Sequence, residues 1–317
     1  MKYDLTQARK CIETLDKRRF DRALLGSGDA FRHIVSLLPL LLHLNHPALP
    51  GYVEDAPAGI ADFILSNYQQ GFLSKEHPEL AASVQSAVNS DAVFAPILGI
   101  YVMGSFGSIS QTSASDLDIW ICHQDDLSEQ DQQRLAEKTK KITQWASTFH
   151  VEMHFYLMTQ KRFRNERYSD PLTKENSGSA QYMLLLEEFY RSAVRLAGKP
   201  LLWLHLWVED EKQYEAEVAR LVAEGEINLD DWVDFGGLGQ FSASEYFGAS
   251  LWQLYKGIDS PYKSVMKILL LETYAQEYPN AHLIARQFKE DLLSGRSTAA
   301  HHFDPYIAIL ERISQYL

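Results

Sequence analysis

Apolar residues recur every three to four positions from Leu5 to Leu25, among many charges, and again more densely from Ala30 to Leu44. Both stretches predict helices. The segment His46–Tyr52 (HPALPGY) breaks the rhythm, because its two prolines block helix, and it reads as a turn or extended connector. Leu80–Ala92 predicts another amphipathic helix. The period then changes. Ile97–Met103 (ILGIYVM) and Asp116–His123 are near-continuous apolar runs of strand length, and Val151–Met158 (VEMHFYLM) is a third. Between the last two, Leu127–Phe149 is a long polar helix with apolar Leu135, Ile142 and Trp145. Helical spacing returns with Ser179–Ala197, preceded by Ser-Gly-Ser and closed by Gly198. Further helices are predicted at Tyr214–Glu224, Ser244–Lys256, Pro261–Glu277, His282–Leu293 and Pro305–Tyr316, with Pro261 suited to a first turn. The pattern divides the chain into a helical region 1–95, an α/β core 96–175 and a helical domain 176–317. The class is α+β, a small mixed sheet flanked by helices.

One stretch of the core carries chemistry. Between the first two strands runs GSFGSISQTSASDLDIW, Gly104–Trp120. Strand side chains alternate faces, so Asp116 and Asp118 project the same way. Two carboxylates side by side in an apolar strand repel each other and cost desolvation, a situation that a cation between them relieves. The Gly104-Ser105 turn offers backbone N–H groups and a hydroxyl nearby, which suits a phosphate. Glu152, near the start of the third strand, joins the pair if the strands are neighbours. Three carboxylates so placed can hold two Mg²⁺ ions for phosphoryl chemistry. The bland alternative for Glu152 is a solvated strand end.

Composition narrows the partners. The formal net charge of −12 suits a small-molecule substrate better than a nucleic acid gripped by its phosphates. Cys11 and Cys122 are the two cysteines and lie far apart, which predicts no disulfide framework and a reducing compartment. Ile34–Leu44 is too short to span a bilayer and contains Pro39 and His43. No signal-peptide pattern is visible at the N-terminus. The expectation is a cytoplasmic protein without a membrane span.

Phosphates also want basic side chains. Lys263 and Lys267 share a helix face in SPYKSVMKILLLE, with Lys263 the stronger choice for a polar cleft. Arg191 and Arg195 face either Glu187 and Glu188 or a phosphate. Lys161, Arg162, Arg164 and Arg167 form either a solvated loop or a cover over the phosphates. His123 and His154 read as packing, since Mg²⁺ prefers oxygen. Of Trp120, Trp203, Trp207, Trp232 and Trp252, any one could stack on a base. Gly236-Gly237-Leu238-Gly239 follows no strand and reads as a flexible connection between helices.

Gly104-Ser105, Asp116-Leu117-Asp118 and Glu152 together resemble the nucleotidyltransferase superfamily of DNA polymerase β type. The longer segments SLLPLLLHLNHPALPGY, YVMGSFGSISQTSASDLDIWICHQ, LLLEEFYRSAVRLAGK and EYFGASLWQLYKGIDSPYKSVMKILLLE resemble the catalytic region of class I adenylate cyclases of gamma-proteobacteria. That resemblance implies a polymerase β-like core that binds ATP and Mg²⁺, with Mn²⁺ able to substitute. It implies attack of the ribose 3′-oxygen on the α-phosphorus, giving cyclic AMP and pyrophosphate. Asp116, Asp118 and Glu152 would then ligate metal, while Ser105 and Ser108 hold the β- or γ-phosphate with Gly104 and Lys263 beside them. It also implies control by the glucose-specific phosphocarrier of the sugar phosphotransferase system, through a C-terminal region beyond these residues. Two other readings stand beside it: transfer of a nucleoside monophosphate to a protein or small-molecule acceptor, and a helical module with an inert nucleotide site.

Overall fold

The computed structural model describes residues 4–87, 95–113, 115–165, 182–295 and 300–317. Helices α1 (Leu5–Leu25) and α2 (Asp29–His43) open the chain, followed after the proline-rich turn by α3 (Asn67–Glu76) and α4 (Pro78–Ala87). Strands β1 (Ile97–Met103) and β2 (Leu117–His123), helix α5 (Glu129–Ser147), strand β3 (Met153–Met158) and helix α6 (Gln160–Asn165) come next. Helix α7 (Tyr182–Ser192) leads into β4 (Val194–Gly198), then α8 (Leu202–His205) and α9 (Tyr214–Ala223). Four helices close the chain: α10 (Ala243–Lys256), α11 (Pro261–Gln276), α12 (Ile284–Ser294) and α13 (Pro305–Tyr316).

The sheet runs in the order β3-β2-β1-β4. Its β1 pairs antiparallel with β2 and β4, while β2 and β3 are parallel with α5 as the crossover. This is the mixed sheet within an α+β architecture that the pattern predicts. Both faces are covered, which is why β1 is apolar throughout. Ile100, Val102, Ile119 and Ile121 pack against Leu37, Leu38 and Leu41 of α2 and Leu135 and Ile142 of α5. On the other face Tyr101, Trp120 and Cys122 meet Phe163, Phe189, Trp203 and Phe235. The Trp120 and Phe189 rings stack with centroids 4.0 Å apart. The closing helices build a further core around Leu270, Tyr274, Phe288 and Ile309, which Ile12 of α1 and Leu184 of α7 join.

Most helix ends fall within two residues of the predicted ones, helped by caps such as Ser128 on α5 and Ser242 on α10. One expectation is corrected. The predicted helix Ser179–Ala197 ends at Ser192, and Val194–Gly198 is β4. Residues 193–198 carry acceptable helix formers, yet the unpaired edge of β1 offers them a ladder of hydrogen bonds, and tertiary pairing overrides propensity. Arg195 therefore sits on a strand and pairs with Glu13, so it shares no helix face with Arg191. The Ser-Gly-Ser cap and residues 88–92 of the predicted helix before β1 lie outside the described residues. The short α3, with its Ser66–Gln69 capping box, has no counterpart in the predicted elements. The Gly236–Gly239 connection is tied down, with Tyr190 Oη donating to the Gly236 carbonyl at 2.7 Å and Leu238 N–H to Glu211 Oε2 at 3.1 Å.

Helix α1 braces the sheet's far edge. Arg19 is buried and donates to the carbonyls of Ser192 (2.7 Å) and Ala193 (3.3 Å), where α7 gives way to β4. Burial holds its guanidinium down at about 10, against the pull of Asp16 and Asp304. Arg19→Met would keep much of the packing and leave both carbonyls without their donor. It should lower stability by about 2–4 kcal/mol, read as a shift of the urea midpoint. An unchanged midpoint would show that the α7–β4 junction holds without α1.

Candidate active site

Strand β1 ends at Met103, which pairs with Asp118 of β2, so the turn that follows lies beside that carboxylate. Gly104 takes a left-handed backbone (φ 83°) and donates its N–H to Ser192 Oγ at 3.1 Å. Gly107 is also left-handed (φ 67°), and a side chain there would run into the Arg19 carbonyl of α1. Ser105 faces the cleft and is otherwise buried. Its carbonyl accepts from Ser108 N–H (3.0 Å) and Ser108 Oγ (2.7 Å). Ser108 thus spends its hydroxyl inside the turn, 3.0 Å from Ser110 Oγ, and does not line the cleft.

The β2–β3 register places Asp118 opposite His154 and Trp120 opposite Tyr156. Asp116, Asp118, His154 and Tyr156 all line the cleft, as strand alternation requires of one face. Tyr156 Oη donates to Asp118 Oδ1 at 3.2 Å. Burial pushes the Asp118 carboxyl up to about 6, and the charge of Asp116 adds to the rise, against opposing pulls from His154 and Lys267. An oxygen-rich pair carrying excess negative charge fits a hard divalent cation.

Glu152 lies just before β3, with its side chain 71% exposed and Oε1 3.1 Å from His154 Nε2. It does not line the cleft. Among the described residues, no three His, Cys, Asp or Glu side chains come together as a metal-binding group. Other ligands of an ion at Asp116 and Asp118 would be water or substrate oxygen, as is usual for Mg²⁺.

Helices form the opposite wall. Trp252, Gln253 and Lys256 come from α10, Lys263, Ser264 and Lys267 from α11, Leu185 and Glu188 from α7, and Tyr306 from α13. The open cleft between the walls has a volume of about 190 Å³. Lys267 Nζ binds Glu188 Oε1 at 2.6 Å. Burial opposes the Lys267 charge, but Glu188 outweighs it and the ammonium is held above its ordinary range. Lys263 has no carboxylate within bonding distance among the described residues, and its Nζ stands 5.9 Å over the Tyr306 ring. Burial pulls its ammonium down, with the carboxylates Asp116 and Asp118 drawing the other way.

The structure therefore gathers Gly104, Ser105, Asp116, Asp118 and Lys263 in one cleft and leaves Glu152 and Ser108 off its lining. Arg191 pairs with Glu187 and lies 3.9 Å from Glu188. Arg164 binds Asp234 at 2.9 Å and also Glu215, so it is engaged away from the Gly104-Ser105 turn. Arg167 lies outside the described residues. His123 is buried against its own loop, with Nδ1 2.9 Å from the Gln124 carbonyl. His154 belongs to the cleft instead. Sequence reasoning missed Tyr156, Glu188, Gln253, Lys256 and Tyr306. Tyr156 had a signal, two residues beyond His154 on the strand period. Lys256 had only its one-turn spacing from Trp252, and Gln253 only its place beside that residue.

The raised carboxyl of Asp118 has a measurable cost. Its pKa in the folded chain, about 6, exceeds the ordinary 3.8. Below pH 4 the group is neutral folded or unfolded, and the charge penalty accumulates as pH rises from 4 to 6. Without divalent cation, Asp118→Asn should therefore raise Tm at pH 7–8 by about 2–5 °C, with the gain fading below pH 5. Millimolar Mg²⁺ should raise Tm of the parent chain and leave the variant nearly unmoved. A variant no more stable than the parent at pH 8 would mean that the pair carries no strain.

Comparison with known proteins matches this arrangement to one family. The model described as the adenylate cyclase NT domain matches residues 4–204, and that of the adenylate cyclase, class-I, second domain matches residues 241–317. The adenylate cyclase of Haemophilus influenzae is 67% identical over 322 residues, covering 100% of this chain and 38% of that protein. That of Pasteurella multocida is 63% identical, with 100% and 38% covered, and that of Escherichia coli 44%, with 96% and 36% covered. The chain thus spans well under half the length of these relatives. A solved spectinomycin adenyltransferase from Enterococcus faecialis, with ATP and spectinomycin, superposes at a TM-score of 0.33 and 15% identity over 70% of this chain and 83% of that one. That likeness is too slight to argue from. On the two family models, which together take in both walls of the cleft, the chain belongs to the class I adenylate cyclase family.

Proposed function

We propose that this chain converts ATP into 3′,5′-cyclic AMP and pyrophosphate. The observation that carries this reading is the Asp116–Asp118 pair set beside the Gly104-Ser105 turn, with Lys263 on the facing wall. Asp116 and Asp118 would hold Mg²⁺, as two ions once substrate supplies further oxygen ligands, and Mn²⁺ would serve in its place. Bound there, the metal would lower the pKa of the ribose 3′-hydroxyl and neutralise charge on the departing pyrophosphate. Ser105 would donate to a β- or γ-phosphate oxygen, and Ser108 would act at one remove by fixing the Ser105 carbonyl. Lys263, with its ammonium uncommitted to a carboxylate, would meet the phosphates across the cleft. Glu152 would become the third carboxylate by releasing His154, and would accept the 3′ proton as the oxygen closes on the α-phosphorus.

A cleft of about 190 Å³ is smaller than the roughly 300–1,000 Å³ of most ligand sites, so ATP would extend through its mouth or press the walls apart. Three stretches would share the work: 1–95 shields the sheet, 96–175 carries the carboxylates, and 176–317 closes over the nucleotide. We place the protein in the cytoplasm, a reading supported by its two free cysteines. Among the described residues no helix is long and apolar enough to cross a membrane. Control by the glucose-specific phosphocarrier would act through residues beyond these.

Product analysis with ATP and Mg²⁺ tests the reading. Cyclic AMP and pyrophosphate should form one to one, and Asp118→Asn should cut turnover by about 100-fold or more while staying folded. Pyrophosphate without cyclic AMP would instead indicate transfer to another acceptor. Lys263→Ala should raise KM for ATP by about tenfold with a smaller change in kcat, the mark of a lost ground-state phosphate contact. An unchanged KM would remove Lys263 from the site.

A further inference from the structure

The carboxylates, Ser105 and Lys263 address the metal and phosphate end of a nucleotide, and none of them can tell one base from another. Gln253 can. It lies on α10 between Trp252 and Lys256, on the helix face that walls the cleft. The residue is only 6% exposed, yet its side-chain amide makes no hydrogen bond among the described residues. Gln253 lines the cleft, and neither of its amide atoms is among those wholly sealed from solvent. Its main chain is satisfied separately, the carbonyl accepting from Gly257 N–H at 2.9 Å. A carboxamide without a protein partner, on the lining of a cleft, has its donor and acceptor available to a ligand. Trp252 supplies an aromatic wall next to it, with Lys256 Nζ 5.4 Å from the ring centroid.

We infer, on the ATP reading above, that Gln253 reads the adenine base: its Nε2–H donates to N7 and its Oε1 accepts from the 6-amino group. A carboxamide is the side chain that matches this donor–acceptor edge. Guanine presents two acceptors there, N7 and O6, and would leave Oε1 facing a lone pair. Gln253 is thus a specificity-determining residue and takes no part in the bond-making step.

The test is equilibrium binding of 3′-deoxy-ATP, which lacks the attacking hydroxyl, together with its 7-deaza and guanine counterparts, all with Mg²⁺. Tripolyphosphate serves as a control without a base. The parent chain should bind 3′-deoxy-ATP about tenfold or more tighter than either counterpart, a ratio typical of one bidentate base contact. Gln253→Leu should bind all three nucleotides within about threefold of each other and tripolyphosphate as the parent does. Preserved base preference in the variant, or no preference in the parent, would overturn the assignment. Should Gln253→Leu lose tripolyphosphate too, Gln253→Glu decides: it keeps the acceptor but cannot donate to N7, so it must stop distinguishing 3′-deoxy-ATP from the 7-deaza compound. Failure of the parent to bind any of these nucleotides would instead overturn the ATP reading itself, and this assignment with it.

Discussion

A single buried carboxylate, Asp304, connects the parts that make the cleft. At 3% exposure it accepts from Arg22 Nη1 of α1 (3.1 Å), from Ile109 N–H of the turn after β1 (2.7 Å), and from Tyr306 and Ile307 N–H at the start of α13. The buried carboxylate would be costly without these donors, so the four bonds specify one another's positions. The anion also suits the N-terminus of α13, where backbone N–H groups lack intrahelical partners. Through this residue the turn is fixed to α1 on one side, and the helix bearing Tyr306 is fixed to the turn on the other. The Gly104-Ser105 turn is therefore held by contacts from both ends of the chain, although it arises locally between two strands.

Charge in the cleft is arranged asymmetrically. The sheet side concentrates negative charge in Asp116 and Asp118 with, among the described residues, no ammonium in direct contact, and the Asp118 carboxyl is raised first by burial and then by the charge of Asp116. On the helical side Glu188 takes up Lys267, and Glu187 is engaged by Arg191, by Tyr274 Oη at 3.2 Å and by Ala285 N–H at 3.1 Å. These pairs join α7 to α11 and α12 and leave Lys263 as the cation facing the carboxylates. A buried ion pair contributes less to stability than its Coulomb energy suggests, but it fixes register well. Glu187 and Glu188 act in that way, setting the helical wall at a defined place over the sheet.

Much of this was legible in the pattern of residues. The strands β1, β2 and β3 and the long helices announce themselves because burial on one or both faces imposes a period that no other element shares. The Asp116–Asp118 pair was legible for a related reason, since two charges in an apolar strand need a cause outside the strand. Val194–Gly198 was not, because its pairing with β1 depends on an edge nearly a hundred residues away. Nor was the turning inward of Ser108, whose hydroxyl meets the carbonyl of Ser105 only once the loop has closed. Glu152 stood at the right strand position, but whether a strand-end carboxylate swings to a metal or to His154 is a matter of rotamer, on which sequence period is silent. The helical wall was the least legible, since Gln253 and Tyr306 look like ordinary helix residues until the fold sets them against the carboxylates.

The cleft also lies between the two stretches that the family models recognise separately. Its sheet side, from Met103 to Tyr156, falls within residues 4–204 together with Leu185 and Glu188 of α7, and the rest of its helical side, from Trp252 to Tyr306, within residues 241–317. The distance from Lys263 to the Asp116–Asp118 pair is thus set by how two packing units dock. The docking combines an apolar seam, in which Ile12 of α1 and Leu184 of α7 pack into the core of the closing helices, with polar contacts of Asp304 to Arg22 and Ile109 and of Glu187 and Glu188 to α11 and α12. A small movement at those contacts would change the width of a cleft of about 190 Å³ by a large fraction of its volume. The apolar seam resists such a movement, since opening it would expose buried side chains to water. The seam therefore sets the width of the cleft, and holds Lys263 and Gln253 on the helices at one spacing from the carboxylate pair on the sheet.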